Sequence, residues 1–302
     1  MKKATLLVYL LIAVAAVPLS AEPQLRRWTV RGRVREAIVD LPDHFDSKLF
    51  PIVLVFHGHG GSMRNTQRQY RIREHWPQAG AVYLQGLKTP GQLTDPEGNK
   101  TGWQKSAGDQ EDRDLKFVDA VLASLRDECE VDDSRIYSTG HSNGGGFTFL
   151  LWAERGDQFA AFAPSGSAGL RLRHQLKPRP YFHIAGRNDP LVKFSWQQMM
   201  IAHVRKLNEC NGPQQISDRI TRYPSAGGNP VETWISTGGH RFPAEAVVPM
   251  VKFLEEHSLQ QRPEDKGAEA AVPKQPQGSA EQSGAVRRRV RDVLRRRRDD
   301  AQ

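Results

Sequence analysis

The sequence contains little cysteine and no apolar run long enough to cross a membrane. Its 302 residues include two cysteines, Cys129 and Cys210. The apolar run at residues 4–17 is shorter than the roughly 20 residues that a membrane-spanning helix needs. No cysteine directly follows this run, so a lipoprotein anchor would have no attachment site. These shortages argue against a membrane-spanning or lipid-anchored protein.

The N-terminus has the pattern of a secretory signal. Two lysines precede the apolar run, and Pro18-Leu-Ser-Ala21 separates it from the polar Glu22. We expect cleavage after Ala21 and a secreted or periplasmic protein, with an uncleaved membrane anchor as the second interpretation. Export would make Cys129 and Cys210 candidates for one disulfide, whereas both would be thiols in a cytosolic protein.

The excess of positive charge is concentrated near the end of the sequence. The formal net charge is +9, but residues 285–302 alone hold eight Arg against three Asp. The remainder is only mildly basic, so a nucleic-acid partner is not indicated. Apolar residues lie at helical spacing among these arginines: Val286, Val290, Val293 and Leu294. This segment is either a basic amphipathic helix that adsorbs to an anionic membrane or cell-wall surface, or a solvated tail.

Residues 259–284 differ in composition from the sequence before them. They are rich in Gln, Pro, Glu, Gly and Ala and hold almost no large apolar residue. Such a segment buries too little apolar surface to offset its loss of conformational entropy, so it predicts a flexible linker. The chain therefore divides into a signal peptide (1–21), a globular domain (22–258), the linker (259–284) and an Arg-rich tail (285–302).

The globular domain alternates β-rich runs with helical patterns. This alternation predicts a single α/β domain with a mostly parallel central sheet and helices on both faces. The run Ile52–Phe56 has no polar alternation, as expected of a central strand covered on both faces. Other predicted strands are Thr29–Val39, Ala81–Gln85, Arg135–Thr139, Phe159–Pro164, Arg179–Ala185 and Val231–Ile235, and predicted helices are Arg113–Glu128, Gly144–Arg155, Phe194–Leu207 and Pro243–His257.

One short motif points to a nucleophilic serine. The segment Gly140-His-Ser142-Asn-Gly144 lies between a predicted strand and a predicted helix. Attack on an ester needs an exposed hydroxyl held in a tight strand-to-helix turn, and glycines on both sides of the serine let backbone pass close to it. This context predicts the nucleophile elbow of the α/β-hydrolase fold, with Ser142 as nucleophile.

The serine hydroxyl needs a base, and the base needs a carboxylate that fixes its tautomer. In this fold the order along the chain is Ser, acid, His. Asp189 follows a predicted strand, and His240 lies on a glycine-flanked loop after the last one. We predict Asp189 as the acid and His240 as the base. The remaining candidates have less suitable positions: His57, His59, His141, His174, His183 and His257.

An oxyanion hole is expected after the central strand. The glycine-rich segment His57-Gly-His59-Gly-Gly61 follows Phe56, where this fold places its first donor loop. We assign one backbone N–H to His59 and the other to Asn143, the residue after the nucleophile. The His57 and His59 pair has no acidic or Cys partner at a metal-site spacing, so we expect no metal and no cofactor.

The stretch between Gln85 and Asp112 is a long connection with few apolar residues. Connections of this length inside a domain are usually functional or disordered. We interpret it as a substrate-side loop held by Trp103, which would then be a substrate-binding residue. The alternative is that Trp103 only anchors the loop to the protein surface.

Together these motifs resemble the esterase family that groups poly(3-hydroxybutyrate) depolymerases with feruloyl and acetylxylan esterases, the family 1 carbohydrate esterases. The matching segments include His57-Gly58, Gly102-Trp103, the Ser142 motif, Asp189 and Gly238-Gly239-His240. The resemblance implies that Ser142, Asp189 and His240 form a triad that hydrolyses carboxylic esters on polymers or their fragments. No second substrate-binding module accompanies the domain, and the loop after Gly86 has no feature tied to one substrate.

The most consistent interpretation is a secreted serine esterase that acts through an acyl-enzyme. Its substrate would be a polyester or an acylated polysaccharide with hydroxybutyrate, feruloyl or acetyl esters. A peptidase or thioesterase of the same fold is the first alternative, since triad chemistry is common to acyl transfer. A non-catalytic surface-binding protein that uses the basic tail is the second, and it would have no reason to keep a triad in fold order.

Overall fold

A computed structural model describes residues 22–259, except residues 44, 46, 47 and 92. The predicted signal peptide, the linker from residue 260 onward and the Arg-rich tail lie outside the described residues. Leu259, predicted as the first linker residue, still belongs to the folded domain, because its N–H donates to the carbonyl oxygen of Ser134 at 2.8 Å.

Twelve strands and six α-helices form the part of the chain that the structure describes. The strands are β1 Gln24–Val30, β2 Arg33–Asp40, β3 Phe50–Phe56, β4 Gly80–Leu84, β5 Leu87–Lys88, β6 Thr101–Gly102, β7 Val131–His141, β8 Ala161–Ser165, β9 Tyr181–Gly186, β10 Gln214–Gln215, β11 Ile220–Tyr223 and β12 Val231–Ser236. The helices are α1 Met63–Tyr70, α2 Ile72–His75, α3 Arg113–Glu128, α4 Asn143–Arg155, α5 Phe194–Leu207 and α6 Val247–Glu255. Short 3-10 turns occupy Asp109–Asp112, Gly156–Gln158, Arg173–Gln175 and Ala244–Ala246.

Ten of these strands form one sheet in the order β1-β2-β4-β3-β7-β8-β9-β12-β11-β10. The six central strands from β4 to β12 are parallel to one another, and the outer strands on both sides pair in antiparallel orientation. β5 and β6 form a separate two-stranded ribbon. The predicted mostly parallel sheet is confirmed, and the carboxyl ends of its central strands meet at one edge.

The core lies on both faces of the sheet. Along β3, Ile52, Leu54 and Phe56 face the layer of α3, α4 and α5, whereas Val53 and Val55 face the layer of α1, α2 and α6. This alternation follows from the two-residue period of a strand. Both faces are therefore buried, which explains the unbroken apolar run that the sequence shows at this position.

The predicted single strand Thr29–Val39 is wrong. The segment folds into the β1–β2 hairpin, whose turn residues Arg31 and Gly32 both have positive φ, 50° and 73°. Two consecutive residues with positive φ are the geometry of a hairpin turn that matches strand twist. The β-rich composition runs through this turn without a break, so Gly32 was its only local signal.

The predicted disulfide between Cys129 and Cys210 is not formed in the structure. Cys129 ends α3 and Cys210 follows α5, and α4 packs on the same sheet face between these helices. The two cysteines therefore lie at the ends of helices that pack over different strands of the sheet, α3 over β1 and α5 over β9. Cys210 Sγ lies 3.9 Å from the carbonyl oxygen of Asn229 instead.

None of the helices that the structure describes in residues 22–259 is both long and apolar enough to cross a bilayer.

Candidate active site

Ser142 lies in a strained turn between β7 and α4. Its backbone has φ 56° and ψ −117°, in the region that residues other than glycine rarely adopt. Its N–H donates to the carbonyl oxygen of Ser165 at 2.8 Å, which holds the turn against the next strand. A Cβ at Gly144 would lie 2.2 Å from the carbonyl oxygen of Phe56, so the turn requires glycine there. This is the geometry predicted for the Gly-x-Ser-x-Gly segment.

The structure brings Ser142, His240 and Asp189 together in one hydrogen-bonded chain. His240 Nε2 lies 2.8 Å from Ser142 Oγ, and His240 Nδ1 lies 2.8 Å from Asp189 Oδ2. Because a carboxylate only accepts, the Nδ1–H donates to Asp189, and Nε2 remains as an acceptor for the serine hydroxyl proton. The imidazole therefore has the tautomer that a general base needs.

Asp189 is fixed by its own loop. It follows β9, its side chain is 1% exposed, and its Oδ1 accepts the N–H groups of Leu191 and Val192, both at 2.9 Å. A buried carboxylate that accepts backbone N–H bonds has both its charge and its orientation stabilised. The turn-forming role that Asp often has before Pro is thus present together with the contact to His240.

His141, the residue before the nucleophile, supports His240 through its backbone. Its Nε2 lies 2.8 Å from the His240 carbonyl oxygen, and its Nδ1 lies 3.1 Å from Ser165 Oγ. Burial lowers the pKa of His141 to about 4, so the ring is neutral near pH 7. The Nε2–H therefore donates to His240 and fixes the loop that holds the base. No sequence pattern predicts this role, because the carbonyl oxygen that His141 meets lies 99 positions away along the chain.

Gln197 connects the acid to a buried pair of polar side chains. Its Nε2 lies 3.4 Å from Asp189 Oδ2 and donates to the carbonyl oxygen of Val192 at 2.8 Å. Its Oε1 lies 3.0 Å from His183 Nε2, and His183 Nδ1 lies 2.5 Å from the Tyr181 hydroxyl. Burial lowers the pKa of His183 to about 4. The neutral ring donates to Gln197 and accepts from Tyr181, so every bond in the chain has one donor and one acceptor.

The segment predicted to supply the oxyanion hole lies beside the nucleophile. A Cβ at Gly58 would be 3.6 Å from Ser142 Cβ. His57 accepts the Gly86 N–H at Nε2 (2.9 Å), so its Nδ1–H donates to the Gly58 carbonyl oxygen at 2.8 Å. Burial lowers the pKa of His57 to about 4, which keeps this arrangement neutral. The loop is therefore held rigidly next to Ser142.

Asn143 and His59 have side-chain partners of their own. Asn143 begins α4, so its N–H has no acceptor within the helix. Its Oδ1 accepts the Trp103 N–H at 2.8 Å. His59 Nε2 lies 2.9 Å from Asp95 Oδ2, and Asp95 also accepts the Lys100 N–H at 2.8 Å. These side chains hold the surrounding loops, and the role of the two backbone N–H groups stays a prediction.

The substrate-binding role predicted for Trp103 is wrong. Trp103 is fully buried, its Nε1–H donates to the His57 carbonyl oxygen at 2.9 Å, and its ring packs against Phe56 and Phe147. The alternative interpretation, an anchor of the long loop, is the one observed. An indole that is surrounded by core aromatic rings has no face left for a ligand.

Within residues 22–259, apart from residues 44, 46, 47 and 92, no group of three His, Cys, Asp or Glu side chains is arranged to hold a metal ion.

No family model matches the chain. Among curated proteins it is similar to the probable feruloyl esterase C of Aspergillus clavatus, with 29% identity over 217 residues, 70% of this chain and 73% of that protein. It is 27% identical to feruloyl esterase D of Neurospora crassa over 232 residues, 72% of this chain and 77% of that protein. The match to the bifunctional acetylxylan esterase/xylanase of Neocallimastix patriciarum is 30% over 114 residues, 37% of this chain and 16% of that protein. The chain spans 57% of the probable feruloyl esterase C of Aspergillus flavus.

Solved structures share the fold at low sequence identity. A thermostable esterase has a TM-score of 0.54 at 18% identity, covering 78% of this chain and 63% of that one. The acetyl xylan esterase of Aspergillus awamori has a TM-score of 0.55 at 10% identity, covering 76% of this chain and 99% of that one. The fold is the α/β-hydrolase fold, as the sequence predicted.

Proposed function

We propose that Ser142, His240 and Asp189 are the catalytic triad of this carboxylic ester hydrolase, which is similar to feruloyl and acetylxylan esterases. The observation that carries this proposal is the hydrogen-bonded chain from Ser142 Oγ through both ring nitrogens of His240 to Asp189 Oδ2. A chain of this order, aimed at a strained serine beside a glycine-rich loop, is suited to acyl transfer.

In the proposed reaction each group has its own step. Ser142 Oγ attacks the ester carbonyl carbon while His240 Nε2 takes the hydroxyl proton. Asp189 stabilises the imidazolium that forms, and the N–H groups of Asn143 and His59 stabilise the negative oxygen of the tetrahedral intermediate. Collapse of this intermediate breaks the ester C–O bond, and His240 gives its proton to the leaving alcohol. Water then attacks the acyl-enzyme with His240 again as base, which releases the acid and restores Ser142.

The proposed substrate is an acylated polysaccharide with feruloyl or acetyl esters. The names of the sequence relatives support this class. Hydroxybutyrate polyester remains within the proposal through the resemblance stated for the motifs. Secretion or export, and adsorption of the basic tail to an anionic surface, stay predictions because both rest on residues outside the described part. A peptidase or thioesterase of the same fold is the competing activity.

A substrate panel with triad variants tests the proposal. We expect the wild-type chain to release ferulate or acetate from acylated xylo-oligosaccharides faster than it cleaves matched amides or thioesters. Ser142→Ala should abolish turnover, and Asp189→Asn should lower it by up to about 10⁴-fold with the fold unchanged by circular dichroism. Ser217→Ala, an exposed serine in the turn between β10 and β11, is the control and should stay active. Full activity of Ser142→Ala, or preference for the amides, would refute the proposal.

A further inference from the structure

A pocket that none of the triad residues lines lies near the same edge of the sheet as Ser142. It has a volume of about 310 Å³, and its walls include Arg31, Arg33, Arg35 and Arg113. The register places it there, because β2 is antiparallel to β4 and pairs Ala37 with Leu84 at the carboxyl end of β4. The amino end of β2, with Arg33 and Arg35, therefore extends beyond that edge. No step of the proposed hydrolysis uses these arginines.

The pocket contains more positive than negative charge. Arg35 and Arg113 have side chains that are 1% and 8% exposed, and both approach Asp114 Oδ1, at 2.8 Å and 3.8 Å. One buried carboxylate thus faces two buried guanidinium groups. At the rim, Glu111 lies 3.8 Å from Arg31 and is mostly exposed, and Arg33 adds a further positive charge. Four arginines against two carboxylates leave two positive charges in excess.

Only the buried part of this excess is costly in the absence of an anion, because Arg31 and Arg33 are exposed whereas Arg35 and Arg113 share one buried carboxylate. Removing a charge from water without a partner is strongly unfavourable, and an unbalanced buried cation remains a source of instability. Burial lowers the pKa of Arg35 and Arg113, and the positive charge of Arg33 lowers both further. The Nε atoms of Arg35 and Arg113 are buried without a hydrogen-bond partner. The local charge is therefore complementary to an anion that the protein itself does not supply.

The two buried arginines are held in place before any ligand arrives. Arg113 Nη2 donates to the Lys88 carbonyl oxygen at 2.9 Å and to Thr89 Oγ1 at 2.5 Å. Arg35 Nη1 donates to the Arg113 carbonyl oxygen at 3.0 Å, and its guanidinium lies 4.2 Å from the centre of the Phe117 ring. Fixed guanidinium groups lose little conformational entropy on binding, which favours recognition of a planar anion.

We propose that this pocket binds a carboxylate, and that, if the proposed function holds, the carboxylate is that of an acidic sugar on the polysaccharide substrate. Arginine recognises carboxylates through paired N–H···O bonds. β2 and β7 are three strand spacings apart, so the pocket is about 14 Å from the strand that carries Ser142. An acidic sugar could lie there while a neighbouring acylated sugar meets the serine. A free carboxylate of the same size would present the same chemistry.

Binding of D-glucuronate, with glucose as the uncharged comparison, tests the carboxylate site. Calorimetric titration of the full chain at constant ionic strength should give saturable binding of glucuronate and none of glucose. Arg33→Gln, an exposed change, should weaken glucuronate binding by about 10-fold, as expected for the loss of one charge-assisted hydrogen bond. Arg113→Gln should do the same where the variant folds. Arg126→Gln, near the other end of α3, should bind like the wild type. Equal binding by wild type and Arg33→Gln, or no saturable binding, overturns the site.

Hydrolysis of two feruloylated oligosaccharides, with and without a uronic acid, identifies the source of the carboxylate. Arg33→Gln should raise KM for the acidic substrate and leave the neutral one unchanged. Glucuronate binding without any preference for the acidic substrate would support a site for a free carboxylate and overturn the substrate subsite. Normal turnover of the neutral ester without glucuronate binding would refute the pocket and leave the esterase proposal standing. Glucuronate binding with no ester turnover would refute the esterase proposal and leave the carboxylate pocket standing.

Discussion

Gln197 contacts the acid of the proposed triad at the same oxygen that accepts His240. Its side chain is fully buried, and its amide cannot turn over, because Oε1 faces the His183 N–H while Nε2 faces Val192 and Asp189. A carboxylate oxygen with two donors in fixed directions has one preferred orientation. Gln197 therefore acts as a positioning residue, since it reaches the reaction only through Asp189.

Loss of this amide should affect the chemical step more than binding. We expect Gln197→Leu to lower kcat by about 3-fold to 10-fold, the equivalent of one net hydrogen bond of 0.5–1.5 kcal/mol. KM should stay within the error of the wild type, because no substrate atom meets Gln197. Steady-state kinetics on a soluble ester, with the exposed neighbour Gln198→Leu as control, makes the comparison. A change in KM alone, or none in kcat, would exclude the positioning role.

The triad could be predicted from the sequence because its signals are local. Glycines flank Ser142 and precede His240, and Asp189 follows an apolar strand, so the local sequence predicts the turn that holds each residue. The supporting residues carry no such signal. His141 lies within hydrogen-bond distance of a carbonyl oxygen 99 positions away along the chain. Gln197 reaches Asp189 from the first turn of α5. Their roles depend on which loops come together in the fold, and residue pattern does not reveal that.

The start of α4 packs directly against the end of β3 beside the site. Gly144 lies in the first turn of α4, where a Cβ would be 2.2 Å from the Phe56 oxygen and 2.6 Å from the His57 oxygen. Any side chain there would push α4 away from the loop that begins at His57. The helix start, the nucleophile turn and the oxyanion loop thus depend on one glycine.

Two glycines of α4 should respond in opposite ways to alanine. Gly144→Ala should lower the free energy of unfolding by about 3 kcal/mol through overpacking and reduce turnover sharply. Gly146→Ala should stabilise by up to about 1 kcal/mol, because alanine favours the helix and its Cβ would meet only Ser167 Oγ, at 3.8 Å. Urea unfolding and ester turnover of both variants give the result. Loss of activity in both alike would contradict the argument.

The sequence predicts the first and last residues of helices that have a clear apolar periodicity. It does not predict short or polar helices and strands. α3 and α5 begin and end where the apolar spacing indicated. α1 was not predicted, because only Met63 and Tyr70 among its eight residues are large and apolar. Its stability comes from the Ser62 cap and from tertiary burial. Likewise β10 and β11 lie at a partly exposed edge, where little apolar pattern is needed.

Three buried histidines make the whole domain sensitive to acid. Burial lowers the pKa of His57, His141 and His183 from 6.5 to about 4. Below pH 6.5 these histidines bind protons in the unfolded chain but stay neutral in the folded chain. The free energy of unfolding is therefore greatest above pH 6.5 and falls towards pH 4. Burial raises the pKa of Asp40 and Glu232, so these carboxyl groups bind protons more readily in the folded chain. Their protonation offsets part of the loss of stability at the lower end of this pH window. The histidines dominate between pH 6.5 and about 5.

The free energy of unfolding should therefore decrease steeply as pH falls from 6.5 to 5. Each fully excluded proton contributes a slope of up to about 1.4 kcal/mol per pH unit, so His57, His141 and His183 together give up to about three times that value. Burial also lowers the pKa of His257, which adds to the slope in the same sense. His183→Gln removes one titrating ring and should lower the slope by about one proton, whatever it does to stability at pH 7. His75→Gln, at an exposed position at the end of α2, should leave the slope unchanged. Urea titrations at pH 7.0, 6.0, 5.5 and 5.0 measure these slopes. If His183→Gln and the wild type lose stability in parallel, His183 does not remain neutral in the folded protein, and the hydrogen-bonded chain from Tyr181 to Asp189 cannot have the donors assigned to it.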